Sequence, residues 1–160
     1  MIEAKINKEN LIKFLKNIRY KDKIELEIFL GKKYREEFIK TTLKNKNTTW
    51  MLQDKSNNPI AIGGVVFHCF DGLRGGQIWL LCSNDVNKHR HYLFKYIKNK
   101  LDIFKNEFDI LFNYIYKSNF KILLWLKALG FCQEYLKNND FRFFYYKKEG
   151  VDFDIRRFTC

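Results

Sequence analysis

The stretch Gly75–Asp102, "GGQIWLLCSNDVNKHRHYLFKYIKNKLD", decides the fold. Gly75–Cys82 is a short apolar run that reads as a buried strand. Ser83–Asp102 reads as a turn running into a basic amphipathic helix. Leu93, Phe94, Ile97 and Leu101 recur at helical spacing, and Phe104 continues the core side. A strand that enters a helix start is a place to hold a phosphate, because free backbone N–H groups and the helix dipole face the anion. Such turns usually carry glycines, whose missing Cβ lets the backbone approach. This turn carries none.

Working outward, the flanking segments complete a strand and helix alternation. Upstream, Ile2–Ile6 alternates as a short strand, and Asn7 is placed to cap a helix with Leu11, Ile12, Leu15 and Ile18 on one face. "KKYREEFIKTTLKNK" is a further amphipathic helix, with Tyr34, Phe38 and Leu43 aligned. Thr48–Gln53 and Ile60–Phe70 read as strands joined by the turn "DKSNNP". Gly63-Gly64 marks a bulge or a close backbone approach, and "DGLRGG" is the next turn. Downstream, Phe108–Tyr116 is another buried strand. A helix starting near Ser118 or Asn119 ends at Gly130, a left-handed terminator. "CQEYLKNNDFRFFYYKK" is a closing hairpin with "KNND" as its turn. The order predicts a mixed α/β sheet with helices packed on it. One domain over residues 1–150 and a polar tail over 151–160, with Phe153 and Phe158, account for the length.

Composition narrows the partners. The 160 residues carry a formal net charge of +12, from 30 Lys and Arg against 18 Asp and Glu. An acidic partner, nucleic acid included, suits that charge. So does a solvated basic surface, since the lysines form no single block. The four cysteines, Cys69, Cys82, Cys132 and Cys160, share no C-x-x-C spacing. Cys69, Cys82 and Cys132 read as small core residues. No apolar signal region opens the chain and no run approaches a membrane span, so an intracellular setting is expected.

Lys88, His89, Arg90 and His91 stand at the expected helix start, where cations oppose the macrodipole. They hold an anion there, or they form a solvated basic turn. His68 reads as a hydrogen-bonded sheet residue, since no spacing joins it to His89 and His91 as metal ligands. Arg19, Asp22 and Glu25 read as an ion-paired helix start. Asn113 and Asn119 read as backbone bridges or caps.

The element order, with "NFKILLWLKALGF" at Asn119–Phe131, resembles the Gcn5-related N-acetyltransferase (GNAT) fold. There an Asn opens the last helix and Gly-Phe closes it, as Asn119 and Gly130-Phe131 do here. More narrowly, "RYKDKIEL" (Arg19, Asp22, Glu25), "PIAIGGV", "IWLLC" with "KHR", and "WLKALGF" resemble GNAT-like internal virion proteins of short-tailed phages. The resemblance implies an acetyl-CoA site at Leu81, Cys82, Lys88, His89, Arg90, His91, Tyr92 and Asn119.

The departures from that pattern are specific. The family's phosphate signature needs glycines where this chain has Arg90 and Tyr92, or His91 and Leu93 in the alternative register. The family's proton-donating tyrosine falls on Leu126, which cannot donate a proton. Trp125 beside it is no acid at neutral pH, and Tyr114, Tyr116 and Tyr135 read as sheet residues. Two functions follow. The chain is a phage virion or assembly component with a degenerate cofactor site, located in the particle or the host cytoplasm and contacting other phage proteins. Alternatively, it is an active acetyl-CoA-dependent N-acetyltransferase with an atypical pyrophosphate turn.

Overall fold

The computed structural model describes residues 1–116, 119–135 and 140–154. Seven strands and five helices follow one another as β1 (Ile2–Glu3), α1 (Lys8–Lys16), α2 (Tyr20–Leu30), α3 (Tyr34–Lys44), β2 (Thr49–Gln53), β3 (Pro59–Phe70), β4 (Leu73–Cys82), α4 (Arg90–Glu107), β5 (Ile110–Tyr116), α5 (Phe120–Ala128), β6 (Cys132–Tyr135) and β7 (Phe141–Lys147). The strands hydrogen-bond in the order β1-β2-β3-β4-β5-β7-β6. Only β4 and β5 pair in parallel among the registers described, so the sheet is mixed and mostly antiparallel, as expected.

The chain divides into two compact units, Met1–Val65 with Trp79–Tyr96, and Val66–Ile78 with Ile97–Cys160. In the first unit, Leu11, Phe14, Leu15 and Ile18 of the α1 region and Tyr34 and Phe38 of α3 bury against Met51, Ile62 and Leu81 of the sheet. Asn7 caps α1 as expected, its Oδ1 accepting the Asn10 N–H at 2.8 Å. Ile12, expected in this core, is 38% exposed. The far face of β2 carries Trp50, whose ring lies 5.0 Å from that of Tyr96.

Gly63-Gly64 answers to close approach. A Cβ on Gly63 would stand 2.6 Å from the Trp50 ring, and one on Gly64 would stand 2.6 Å from the Thr48 carbonyl oxygen. The "DKSNNP" turn is held by Asp54, whose Oδ1 accepts the Ser56 and Asn58 N–H groups. The second turn is tighter than expected. Only Asp71 and Gly72 adopt positive φ (50° and 84°), the pattern of a two-residue hairpin, and Leu73–Gly76 already belong to β4.

In the second unit, β5 pairs with β7 over its full length, Ile110↔Lys147 to Tyr116↔Phe141. Ile110, Phe112 and Phe143 centre an aromatic core that also takes in Tyr114, Tyr145, Val151 and Phe153. The last helix terminates as expected at Gly130 (φ 86°). Phe131 N–H donates to Leu126 O and Gly130 N–H to Lys127 O, both at 3.0 Å, the Schellman pattern. Lys105 Nζ adds a bond to Leu129 O at 2.9 Å and lies 4.7 Å from the Tyr146 ring centre. Most of the expected "KNND" turn, and Phe158 and Cys160, lie outside the described residues.

One element goes beyond the sequence reading, and one expectation fails. The segment "YKDKIELEIFL", which shows no single apolar stripe, is a helix of its own, α2. Its apolar residues lie on both faces and obscure the 3.6-residue period. Cys69 and Cys132 are exposed, and among the described cysteines only Cys82 is a core thiol. Alternation along β3 and the start of β6 turns the other two outward.

Candidate functional site

The turn after β4 does not run straight into the helix. Asn84–His89 form a 3₁₀ turn, and α4 starts only at Arg90. Much of its polar capacity is taken up by the protein. Cys82 N–H donates to Asp22 Oδ2 at 2.8 Å, and Cys82 O accepts Arg19 N–H at 2.9 Å. Ser83 N–H donates to Ile60 O, Asn84 N–H to Asn17 O, and Val86 N–H to Ser83 O. The segment joining α1 to α2 is therefore laced to the end of β4 and the start of the turn.

Asp22 anchors this lacing. It is 1% exposed and receives Arg19 in a two-point pair, Nε to Oδ2 at 3.1 Å and a terminal guanidinium nitrogen to Oδ1 at 2.7 Å. Burial outweighs Arg19 and holds the Asp22 carboxyl above its ordinary range. Arg19 is the residue before the first helical turn of α2, so the expected ion-paired helix start is present. The further role of Asp22, accepting a backbone N–H sixty positions away, is a product of tertiary structure.

The cations of the turn are not all free. Lys88 Nζ pairs with Asp85 Oδ1 at 2.6 Å, and Asp85 Oδ2 accepts Asn17 Nδ2 at 2.9 Å. Lys88 and these amide and ion contacts hold the Asp85 carboxyl below its usual range. Asp54 also interacts electrostatically with Lys88 and His89. The first turn of α4 contains no acidic residue, so Asp85, just ahead of it, provides negative charge near the positive end of the helix. Arg90, His91 and Tyr92 are placed at the start of α4 and are exposed; His89, just ahead of them, is half-buried. Leu81 and Cys82 are buried, and burial pushes the Cys82 thiol up to about 12.

The parallel pairing of β4 with β5 covers Gly75–Gln77 against Ile110–Phe112. At its end Asn113 inserts its side chain. Its Nδ2 donates to Ile78 O at 2.6 Å, and its Oδ1 accepts Tyr114 N–H at 2.8 Å and Gln77 Nε2 at 3.2 Å. Asn113 is thus a backbone bridge, as expected. Gln77 Oε1 lies 3.1 Å from His68 Nε2. The backbone carbonyl at one end can only accept, so the chain of donors runs one way and His68 carries its proton on Nε2. His68 is a hydrogen-bonded sheet residue, as expected, with its ring stacked on Phe70.

In the last helix, Leu126 is 6% exposed, a buried apolar contact. Asn119 occupies the cap position and is buried, but its side chain makes no capping bond, contrary to expectation. Its φ of −88° and ψ of 49° depart from the extended cap geometry that aims the side chain at the first turn. Tyr114 packs in the aromatic core and burial raises its phenol. Tyr135 is 75% exposed, with Arg142 over its ring at 3.8 Å.

Sequence reasoning missed Asn17, Asp85 and Gln77. The signal available for Asp85 was its spacing of three from Lys88, which allows a local pair. A cavity of about 600 Å³ is lined by Cys69, Phe70, Asp71, Leu73, Asp152, Phe153 and Asp154, none of them an expected cofactor contact. No helix among the described residues is long and apolar enough to cross a membrane.

This arrangement of elements is the GNAT fold. Solved structures similar to the chain include the spermidine N-acetyltransferase of Vibrio cholerae in complex with CoA and spermine. That match has 13% identity, covers 91% of this chain and 94% of that one, and gives a TM-score of 0.66. A chimera of the Vibrio cholerae spermidine N-acetyltransferase SpeG with hSSAT matches at 13% identity. It covers 91% of this chain and 94% of that one, with a TM-score of 0.58. In sequence, the chain is similar to the probable scaffold protein gp13 of Escherichia phage T7, with 30% identity over 97 residues. That match takes in 58% of this chain and spans 65% of the relative's length. No family model matches the sequence.

Proposed function

We propose that this chain is a phage protein on the GNAT fold whose cofactor site is degenerate, and that it serves particle assembly through contacts with other phage proteins. One observation carries the reading: no glycine stands at the positions of the phosphate signature, and the segment that leads into them is bonded into the protein. In enzymes of this fold that turn presents glycine-freed N–H groups to the pyrophosphate. Here the N–H groups of Cys82, Ser83, Asn84 and Val86 are already bonded within the protein, and Lys88 is paired with Asp85. A pyrophosphate brought to this turn meets the Asp85 carboxylate, and like charges at contact distance repel. The side chains of Arg90, His91 and Tyr92 stand where a glycine-rich turn leaves room.

The proton donor of the reaction is also lacking at its usual place, because Leu126 is buried hydrocarbon. The likeness to a phage scaffold protein supports a role in assembly. Arg90, His91 and the other cations of the surface then serve as contacts for acidic surfaces of partner proteins.

Calorimetric titration with acetyl-CoA and with free CoA tests this reading. The expected result is no heat of binding at millimolar ligand. Micromolar binding, followed by transfer of the acetyl group to an amine, overturns it and establishes the acetyltransferase instead.

A further inference from the structure

Three segments far apart in sequence bring exposed lysines together in the first unit. Lys13 and Lys16 stand in the last turn of α1, Lys55 in the turn between β2 and β3, and Lys88 in the 3₁₀ turn after β4. Contacts between the segments fix the convergence. Lys13 Nζ donates to Asn57 O at 2.8 Å, joining α1 to the β2–β3 turn. Asn17, beside Lys16, donates to Asp85 at 2.9 Å, joining the end of α1 to the 3₁₀ turn. Asp54 lies within electrostatic reach of Lys88 and His89, joining the two turns.

Two carboxylates lie among these lysines, and both serve the turns. Asp54 Oδ1 accepts the Ser56 and Asn58 N–H groups, and its Oδ2 accepts Asn58 Nδ2. Asp85 is shared by Asn17 and Lys88. The Lys88–Asp85 side chains are 74% and 38% exposed, and an exposed pair is weak, so a phosphate competes for Lys88. Lys16 and Lys55 make no side-chain bond among the described residues.

Charge selects an anion, and the rest of the surface selects which one. The exposed side chains of the two turns are Lys55, Ser56, Asn57, Asn84, Asn87 and Lys88, with no aromatic or aliphatic group among them. A protein partner needs an apolar centre, and protein interfaces are poor in lysine. A phosphate backbone needs no apolar contact. Lysines neutralise it, and Ser and Asn side chains donate to its oxygens. A chain of phosphates also reaches lysines carried on separate segments.

We infer that the patch of Lys13, Lys16, Lys55 and Lys88 binds the sugar-phosphate backbone of a nucleic acid without regard to sequence. The site is additional to the protein contacts proposed above, and it rests neither on them nor on a cofactor.

Fluorescence anisotropy of the full chain with a labelled DNA duplex of arbitrary sequence tests it. Four backbone contacts give a slope of log affinity against log salt of about −3.6, which is a loss of about a hundredfold between about 50 and about 200 mM salt. Lys16→Ala/Lys55→Ala removes two contacts and no bond of the fold. It is expected to bring the slope to about −1.8 with an unchanged thermal melt. Lys147→Ala/Lys148→Ala removes the same charge from the end of β7 and is expected to keep the slope of the wild type. No binding at about 50 mM salt overturns the inference, as does a slope near zero. An equal loss from the two double variants also overturns it, since diffuse charge alone then accounts for binding. Poly-L-glutamate that binds the wild type as tightly as the duplex does overturns it too, and gives the patch to acidic proteins.

Discussion

Replacing Asp22 by alanine removes one carboxylate from two obligations, and the cost can be worked from the structure. Arg19 loses a two-point pair whose side chains are 28% and 1% exposed. Cys82 N–H loses its acceptor at 2.8 Å in a buried setting. Breaking a fully buried ion pair from one side costs about 3–5 kcal/mol, and a buried donor left unsatisfied costs about 1–3 kcal/mol. Arg19 can turn part of its guanidinium to water, which reduces the first cost, and the two overlap because both arise from the same oxygens. We expect a loss of about 3 kcal/mol, the low end of the ion-pair range alone.

For a chain of this length that lowers Tm by roughly 6–12 °C. Urea unfolding followed by tryptophan fluorescence reads it, because Trp50 and Trp79 both lie in the unit that Asp22 holds together. The midpoint should fall while the slope stays constant. Adding Arg19→Met to an Asp22→Leu variant should recover much of the loss, since an apolar replacement of both partners leaves no stranded charge. A loss below about 1 kcal/mol for Asp22→Ala, within the range of an exposed pair, refutes the claim that Asp22 anchors the turn.

Three further outcomes follow from the same geometry. Burial raises the Asp22 carboxyl above its ordinary 3.8, so the folded protein holds that proton more tightly than the unfolded chain does. The stability this adds is complete below 3.8 and is lost as pH rises through the folded value. The advantage of the wild type over Asp22→Asn, measured by urea unfolding, therefore narrows as pH rises above 3.8; a gap that widens with rising pH contradicts the assignment. Gly64→Ala places a methyl group 2.6 Å from the Thr48 carbonyl oxygen and should cost about 1–3 kcal/mol by thermal denaturation. In native protein treated with a thiol reagent, peptide mapping should find Cys69 and Cys132 modified and Cys82 untouched, its thiol being buried and pushed up to about 12; rapid labelling of Cys82 disproves its placement.

Much of the fold was legible because the signals were local and repeated. Leu93, Ile97 and Leu101 share one helical face, and all three are buried in α4. The continuous apolar run of β3 stays buried from Pro59 to Val65, as strands covered on both faces do. Gly130 marked the end of the last helix, because a left-handed residue strongly favours glycine. The order of these elements and the spacing from Asn119 to Gly130-Phe131 were enough to suggest the acetyltransferase-like fold.

Helix α2 was not legible. Period detection needs one apolar face, and α2 has one toward the core and another outward. The orientation of Cys69 and Cys132 was missed because apolar neighbours in a strand do not say which face a residue takes.

Residue identity alone sets the glycine-free turn after β4 and the leucine, not a tyrosine, at position 126. No folding can add a hydroxyl group to a leucine or remove a Cβ. Tertiary structure alone decided what became of the turn. Asp22 reaches Cys82 across sixty positions, Asn17 reaches Asp85 across sixty-eight, and Asn113 bridges to the Ile78 carbonyl. Hydrogen bonds of a few ångströms between residues so far apart leave no periodic trace in the chain, since the partners are chosen by which strand ends and helix starts packing brings together.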